Sequence, residues 1–347
     1  MREKNFRFGI VGTGAIASIH AVSIQHTTQA QLVGVYNRTY EKAKAFGEIH
    51  GCKVYDDLTA MLADENIDII TICTPSGAHL EIAEMVIRSG KHCLIEKPLE
   101  ITLERCNRII QLAEEYNVQV GTIFPTRFYP NSQKIKEQLR QGYFGDLVMG
   151  SASIKWHRSP AYYQSAAWRG TWQLDGGGAL MNQGIHAVDM LLWYMGEAVF
   201  VQAISSNRLH HQIEVEDSIV ANIKFKNGAL GVIECTTAAF PGTPKRLEIV
   251  GTKGTVVLEE DKISFWEFHA QPQTSSIKPM TEGPLAQGGV NDPMAITHYG
   301  HQLQIQNFIE ALVSNNIPLI DAVEGKKSVA LICAIYESAK TGQRVYL

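Results

Sequence analysis

The chain has 347 residues, a formal net charge of −4, 45% hydrophobic residues and 19% charged residues. That is more chain than one hydrophobic core usually organises, so two domains are expected, and the mildly acidic balance argues against nucleic acid or an anionic membrane surface as the main partner. Cys52, Cys73, Cys93, Cys106, Cys235 and Cys333 form no C-x-x-C pair, the first residues hold no apolar signal core, and no apolar stretch approaches the ~20 residues of a membrane span, so a cytoplasmic protein with buried free thiols is expected.

Read in chain order, the first element is an apolar strand, Phe6–Val11. Directly behind it come Gly12, Thr13, Gly14, Ala15, Ile16 and Ala17, the G-x-G-x-x-A spacing of a dinucleotide turn. Gly12 permits the turn, Gly14 removes a side chain where a pyrophosphate approaches the backbone, and Ala17 allows close helix–strand packing. The helix start adds unpaired N–H groups and a positive dipole end. Strands then alternate with helices. The strands are Leu32–Tyr36, Cys52–Tyr55, Ile67–Cys73, His92–Ile95 and Val118–Ile123; the helices are Ile16–His26, Glu41–Glu48, Leu58–Ala63, Leu80–Ser89 and Leu103–Tyr116. This rhythm predicts an α/β Rossmann domain, a doubly wound parallel sheet over residues 1–124.

After Pro125 the rhythm changes. A helix, Ser132–Gln141, precedes the strands Leu147–Trp156, Ala198–Asn207, Val215–Phe225, Ala229–Thr236, Lys245–Val250, Thr255–Glu259 and Ile263–Phe268. Asn227-Gly228 is a hairpin signal. A helix, Gly178–Met195, interrupts the strands, residues 270–297 read as a surface loop, and helices Tyr299–Ser314 and Ala322–Thr341 close the chain. Residues 125–347 are therefore expected to form an α+β domain with a large, mostly antiparallel open sheet that binds substrate.

Three places carry chemistry. The tip of the second strand, Tyr36-Asn37-Arg38-Thr39, has no acid to accept a ribose 2′-hydroxyl, and Asn37 with Arg38 favours NADP over NAD; an Arg38 turned to solvent would leave NAD well bound. Glu96-Lys97-Pro98 ends the fifth strand, at the edge where open α/β sheets bind ligands. Lys97 there faces a cofactor crevice, with Glu96 toward the ribose; an ordinary surface lysine fits the position equally well. In the run from Asp175 to Asp189, Asn182 and His186 lie four apart on one helix face, and Asp189 is placed to orient the His186 ring. A core histidine satisfied by Asp189 is the competing reading. Trp168 and Arg169 before the glycine run suit stacking and hydrogen bonding to a sugar, or packing. His298 with His301, and His210 with His211, lack metal-site spacing and read as solvated faces, so no metal is expected.

The glycine fingerprint, then Thr74-Pro75-Ser76 with His79, then Glu96-Lys97-Pro98, then the glycine-led helix of His186 and Asp189 resemble, in this order, the family of glucose–fructose oxidoreductase, inositol dehydrogenase and the rhizopine-catabolism oxidoreductases. The resemblance spans nearly the whole chain. It implies an NAD(P)-dependent dehydrogenase for a secondary alcohol or ketone of a sugar, polyol or sugar derivative, and a homodimer or homotetramer formed through the second-domain sheet. It places Gly12 to Ile16, Asn37, Arg38, Thr74, Pro75, Ser76, His79, Glu96 and Lys97 at the cofactor. Lys97 and His186 flank the reacting carbon, with Asn182, Trp168 and Arg169 on the substrate. Many members have Asp where this chain has Asn182; an amide takes no proton but still holds a hydroxyl. Two alternatives stay open: a glycoside-cleaving enzyme using bound NAD as a redox catalyst, and a non-catalytic dinucleotide-binding regulator.

Overall fold

The computed structural model of the chain describes residues 5–269 and 297–347, which divide into two compact units. The first holds six parallel strands, β1 (Phe6–Val11), β2 (Ala30–Tyr36), β3 (Lys53–Tyr55), β4 (Ile69–Ile72), β5 (His92–Ile95) and β6 (Val120–Thr122), in the order β3-β2-β1-β4-β5-β6. Helices α1 (Ala15–Gln25), α2 (Tyr40–His50), α3 (Leu58–Ala63), α4 (His79–Arg88) and α5 (Leu103–Glu115) make the crossovers. A sheet covered on both faces needs strands apolar on both sides. Accordingly Ile69, Ile70, Ile72, Leu94 and Ile95 are all fully buried.

The second unit takes α6 (Pro130–Arg140), β7 (Leu147–Lys155), α7 (Pro160–Gln164), α8 (Ile185–Met195), β8 (Ala198–Ser206), β9 (Ser218–Phe225), β10 (Leu230–Thr236), β11 (Arg246–Gly251), β12 (Gly254–Glu259) and β13 (Lys262–Phe268). With the terminal β14 (Val345–Tyr346) these build an eight-stranded sheet, β13-β12-β11-β7-β10-β9-β8-β14, antiparallel except where β7 meets β10. Its strands alternate buried and exposed residues, as one-face burial requires: Gly150, Ala152 and Ile154 point inward and Met149 outward. Gly150 is glycine because a Cβ there would stand 2.7 Å from Met195 Cγ of α8. Asn227-Gly228 makes the β9–β10 turn, with Gly228 at φ +94° and Asn227 Oδ1 accepting the Ala229 N–H at 3.0 Å.

The single domain boundary expected near residue 124 needs correction. Helix α9 (Tyr299–Ser314) and the start of α10 (Ala322–Thr341) belong to the first unit, and the rest of α10 to the second. Ile305, Phe308 and Ile309 of α9 join the core of Phe8, Ile10 and Ile24. The buried Gln304 amide donates to Thr122 O at 2.6 Å and accepts from Phe124 N–H at 2.9 Å, satisfying backbone at the β6 edge. Helix periodicity shows that α9 has an apolar stripe but not which sheet covers it. The expected loop over residues 270–297 lies, but for Thr297, outside the described residues. Among the described residues no helix is long and apolar enough to cross a membrane.

Candidate active site

In the first unit the glycine turn has the shape a dinucleotide needs. Gly12 sits at φ +98°, and a Cβ on it would stand 2.6 Å from the Cys73 carbonyl oxygen. A Cβ on Gly14 would project into open space. Helix α1 starts just after Gly14 with no side-chain cap and no acid in its first turn, so its N-terminal N–H groups suit a pyrophosphate. Thr13, Ala15 and Ile16 line this turn. Asn37 donates to Thr13 Oγ1 at 2.7 Å and accepts from Thr39 N–H at 2.8 Å, so it braces the turn, while Arg38 is exposed. Thr74, Pro75 and the buried Ser76 follow β4 at the same sheet edge. His79, expected at the cofactor, is buried, and its ring nitrogens face Pro98 O at 2.9 Å and Thr74 O at 3.1 Å. It ties the Thr74 and Lys97 turns together.

Lys97 is half-buried just beyond β5, at the carboxyl edge of the parallel sheet. Glu96 does not face outward to a ribose. Its Oε1 accepts from His20 Nε2 at 2.8 Å and lies 3.4 Å from His301 Nε2, and its Oε2 accepts the Lys97 N–H at 3.1 Å. His20 Nδ1 meets Thr71 Oγ1 at 2.7 Å. Burial opposes charge on both partners, yet the two imidazoles hold the Glu96 carboxyl well below the usual carboxylate range, and the Cys73 sulfur and Glu96 raise His20 to about 10. His301 is lowered by burial and by the His20 and Lys97 charges. The metal-ligand-type atoms of His20, Glu96 and His301 all lie within 4.8 Å of one another, but the His20–Glu96 distance is that of a direct hydrogen bond. His301, expected on a solvated face, is thus 4% exposed, and His210 is fully buried against the Tyr163 ring at 4.6 Å. Sequence spacing could not show either burial.

In the second unit, the helix expected over Gly178–Met195 is two pieces: a π-helical turn, Ala179–Gly184, carrying Asn182, then α8, carrying the half-buried His186 in its first turn. Such π turns recur at functional sites. Its cause is Glu216, a residue the sequence reading missed. The Glu216 carboxylate accepts from Gly178 N–H at 2.9 Å, Leu180 N–H at 2.8 Å and Tyr336 Oη at 3.0 Å, and its carbonyl accepts from Ala179 N–H at 3.0 Å. A Cβ on Gly178 would lie 1.8 Å from that carbonyl, which explains one glycine of the run. Burial, working against these donors, raises the Glu216 carboxyl to about 7. Two adjacent acids, Glu216-Asp217, at the head of an apolar strand were the available signal.

Asn182 donates to Asp175 Oδ1 at 2.5 Å and accepts from Gln183 Nε2 at 2.6 Å. Asp189, expected to orient His186, accepts from Arg127 at 2.9 and 2.7 Å and from Ser328 Oγ at 3.3 Å. A fully buried carboxylate needs such a paired cation, and Arg127 lies too far away in sequence to be read as that partner. Trp168 and Arg169 stand beside one another, the guanidinium 4.6 Å from the indole ring.

The profile of the GFO/IDH/MocA oxidoreductase family, NAD-binding Rossmann fold, matches residues 6–124, and that of the GFO/IDH/MocA C-terminal domain matches residues 132–257. An uncharacterised oxidoreductase of Synechocystis is 30% identical over 276 residues, 76% of this chain and 74% of that one. Myo-inositol 2-dehydrogenase of Thermotoga maritima is 26% identical over 98% of each chain. Among solved structures, the WlbA dehydrogenase of Bordetella pertussis, in complex with NADH and UDP-GlcNAcA, superposes with a TM-score of 0.88 at 33% identity over 99% of each chain. A Rossmann unit with an open glycine turn, a large second-unit sheet and both profile matches establish that this chain belongs to the GFO/IDH/MocA family of NAD-binding oxidoreductases.

Proposed function

We propose that this oxidoreductase moves hydride between a nicotinamide cofactor and a secondary alcohol or ketone of a sugar, polyol or sugar derivative, with Lys97 and His186 as its catalytic residues. The observation that carries the roles is placement: each side chain is half-buried, and each follows a rigid turn whose backbone is held by a buried carboxylate, Glu96 for Lys97 and Glu216 for the π turn before His186. The bound nicotinamide supplies or takes the hydride. In the oxidation direction His186 takes the hydroxyl proton, Lys97 donates a hydrogen bond to the same oxygen as negative charge develops on it, and Asn182 holds a neighbouring hydroxyl. Trp168 and Arg169 contact the substrate. The relatives that act on myo-inositol and bind UDP-GlcNAcA support a polyol or sugar-derivative substrate.

At the cofactor, the tip of β2 presents no carboxylate against a 2′-phosphate and leaves Arg38 exposed, which supports NADP(H). A specific observation favours the other reading: the similar WlbA dehydrogenase was solved with NADH. Fluorescence titration with both reduced cofactors decides, and tighter NADH binding refutes the NADP(H) preference. The exposed face of the second-unit sheet pairs Ile204 with Val220 and Leu230 with Met149, each at least 45% exposed, and supports a homo-oligomer formed there by a second copy. Light scattering on the Val220→Lys variant tests that assembly. The central experiment measures absorbance at about 340 nm with a sugar and polyol panel, for the unaltered enzyme and His186→Ala. General acid–base loss predicts a drop of about 10²–10⁴ in turnover and disappearance of one pH–rate limb. A variant that keeps both rate and profile refutes the His186 role.

A further inference from the structure

The guanidinium of Arg169 is held in a way that asks for an anion. It lies over the Tyr162 ring at 4.3 Å and the Trp168 ring at 4.6 Å, and it donates to Tyr162 Oη at 2.6 Å and Ser165 Oγ at 3.2 Å. All of these partners are neutral. Among the described residues no carboxylate pairs with it, whereas Arg7, Arg105 and Arg127 each meet one at 3.0 Å or closer. A half-buried guanidinium gives up hydration, and neutral hydrogen bonds return only part of that loss. Two aromatic rings fix its plane, which leaves less rotamer entropy to lose on binding.

The surroundings add a second positive group. Arg158 is 2% exposed, lies over the same Tyr162 ring at 5.6 Å, and donates twice to Gln183 Oε1, at 3.2 and 2.7 Å. Asp175, the carboxylate that acts on Tyr162, already accepts from Gly170 N–H at 2.8 Å and from Asn182. The Arg169 site is continuous with the catalytic turn: Tyr162 Oη accepts from Gln183 Nε2 at 2.9 Å, and Gln183 Nε2 donates to Asn182 Oδ1 at 2.6 Å. Two side chains, Tyr162 and Gln183, therefore separate the guanidinium from Asn182.

Resting on the dehydrogenase reading, we propose that Arg169 is an anion subsite and that the substrate is an acidic sugar, carrying a carboxylate or phosphate beside the hydroxyl that is oxidised. A planar guanidinium matches either group bidentately, and each charge-assisted pair adds orientation as well as affinity. A neutral sugar would leave that charge unanswered.

The test compares glucose, glucuronate, glucose 1-phosphate, UDP-glucose and UDP-glucuronate with the full chain, the Arg169→Gln variant and the Arg169→Lys variant. The expected result is an acid-over-neutral ratio of kcat/KM that falls about 10–100-fold in Arg169→Gln, chiefly through KM, with partial recovery in Arg169→Lys. Glucuronate against glucose 1-phosphate distinguishes carboxylate from phosphate. Saturation-transfer NMR on the NADH-loaded protein reads binding apart from turnover. Acid binding that Arg169→Gln abolishes upholds the subsite even where no compound is oxidised, an outcome that would count against the dehydrogenase reading alone. An acid-over-neutral ratio unchanged in Arg169→Gln, or no acid bound by the unaltered protein, overturns the proposal.

Discussion

Replacing Glu216 by Gln tests the device that shapes the catalytic turn. The Glu216 carboxyl is 5% exposed and takes hydrogen bonds from Gly178, Leu180 and Tyr336. Burial raises it from the ordinary value of 4.5 to about 7. Between those values the folded protein keeps a proton that the unfolded chain releases. The stability this group contributes is therefore full below about 4.5 and is lost as pH rises through about 7, a span of about 3 kcal/mol. Gln does not titrate, so that slope vanishes. Gln also offers one carbonyl oxygen where three donors converge, leaving at least one buried donor unmet at a cost of about 1–3 kcal/mol. The variant should be weaker than the parent by about 1–3 kcal/mol near pH 5, and because the parent loses about 2.5 kcal/mol of this contribution by pH 8, the gap should close or reverse. Urea unfolding followed by tryptophan fluorescence reads this directly, because all five tryptophans, Trp156, Trp168, Trp172, Trp193 and Trp266, lie in the second unit. Turnover should fall as the π turn loosens, while dinucleotide binding, carried by the first unit, persists. An unfolding free energy that keeps the parental pH slope in Glu216→Gln would refute this account.

Lys97→Met should leave cofactor affinity nearly unaltered and cut kcat by about 10²–10³, the loss of a charge-assisted donor to the reacting oxygen; single-turnover absorbance measures it. Near-normal turnover would remove Lys97 from the mechanism. Asn182→Asp is not the mild isosteric change its size suggests, because it sets a second carboxylate against Asp175 Oδ1, where Asn182 now donates. At neutral pH it should destabilise by about 1–3 kcal/mol, and the two carboxyls should share a proton, so the penalty eases on acidification; a pH series of melting curves checks this. Gly12→Ala forces a side chain to φ +98° and toward the Cys73 carbonyl, costing about 1–3 kcal/mol and weakening dinucleotide binding in fluorescence titration.

Much of this protein was legible before any coordinates. The glycine turn, the strand–helix alternation of the first unit, the β9–β10 hairpin at Asn227-Gly228 and the strand-rich second unit are local matters. Period, turn chemistry and backbone sterics act over a few residues and leave their mark in the sequence. What sequence could not supply was partnership. Glu96 turns inward because His20, from the glycine-fingerprint helix, and His301, from a helix more than two hundred residues later, converge on it. Asp189 holds the distant Arg127, and the return of α9 to the first unit shifted the domain boundary. The π turn under Asn182 exists because Glu216 and Tyr336 gather its N–H groups. Buried polar and charged groups must find complements wherever the fold brings them. Local sequence determined which elements form; the packing of distant side chains decided which charges are paired, and so the shape of the candidate site.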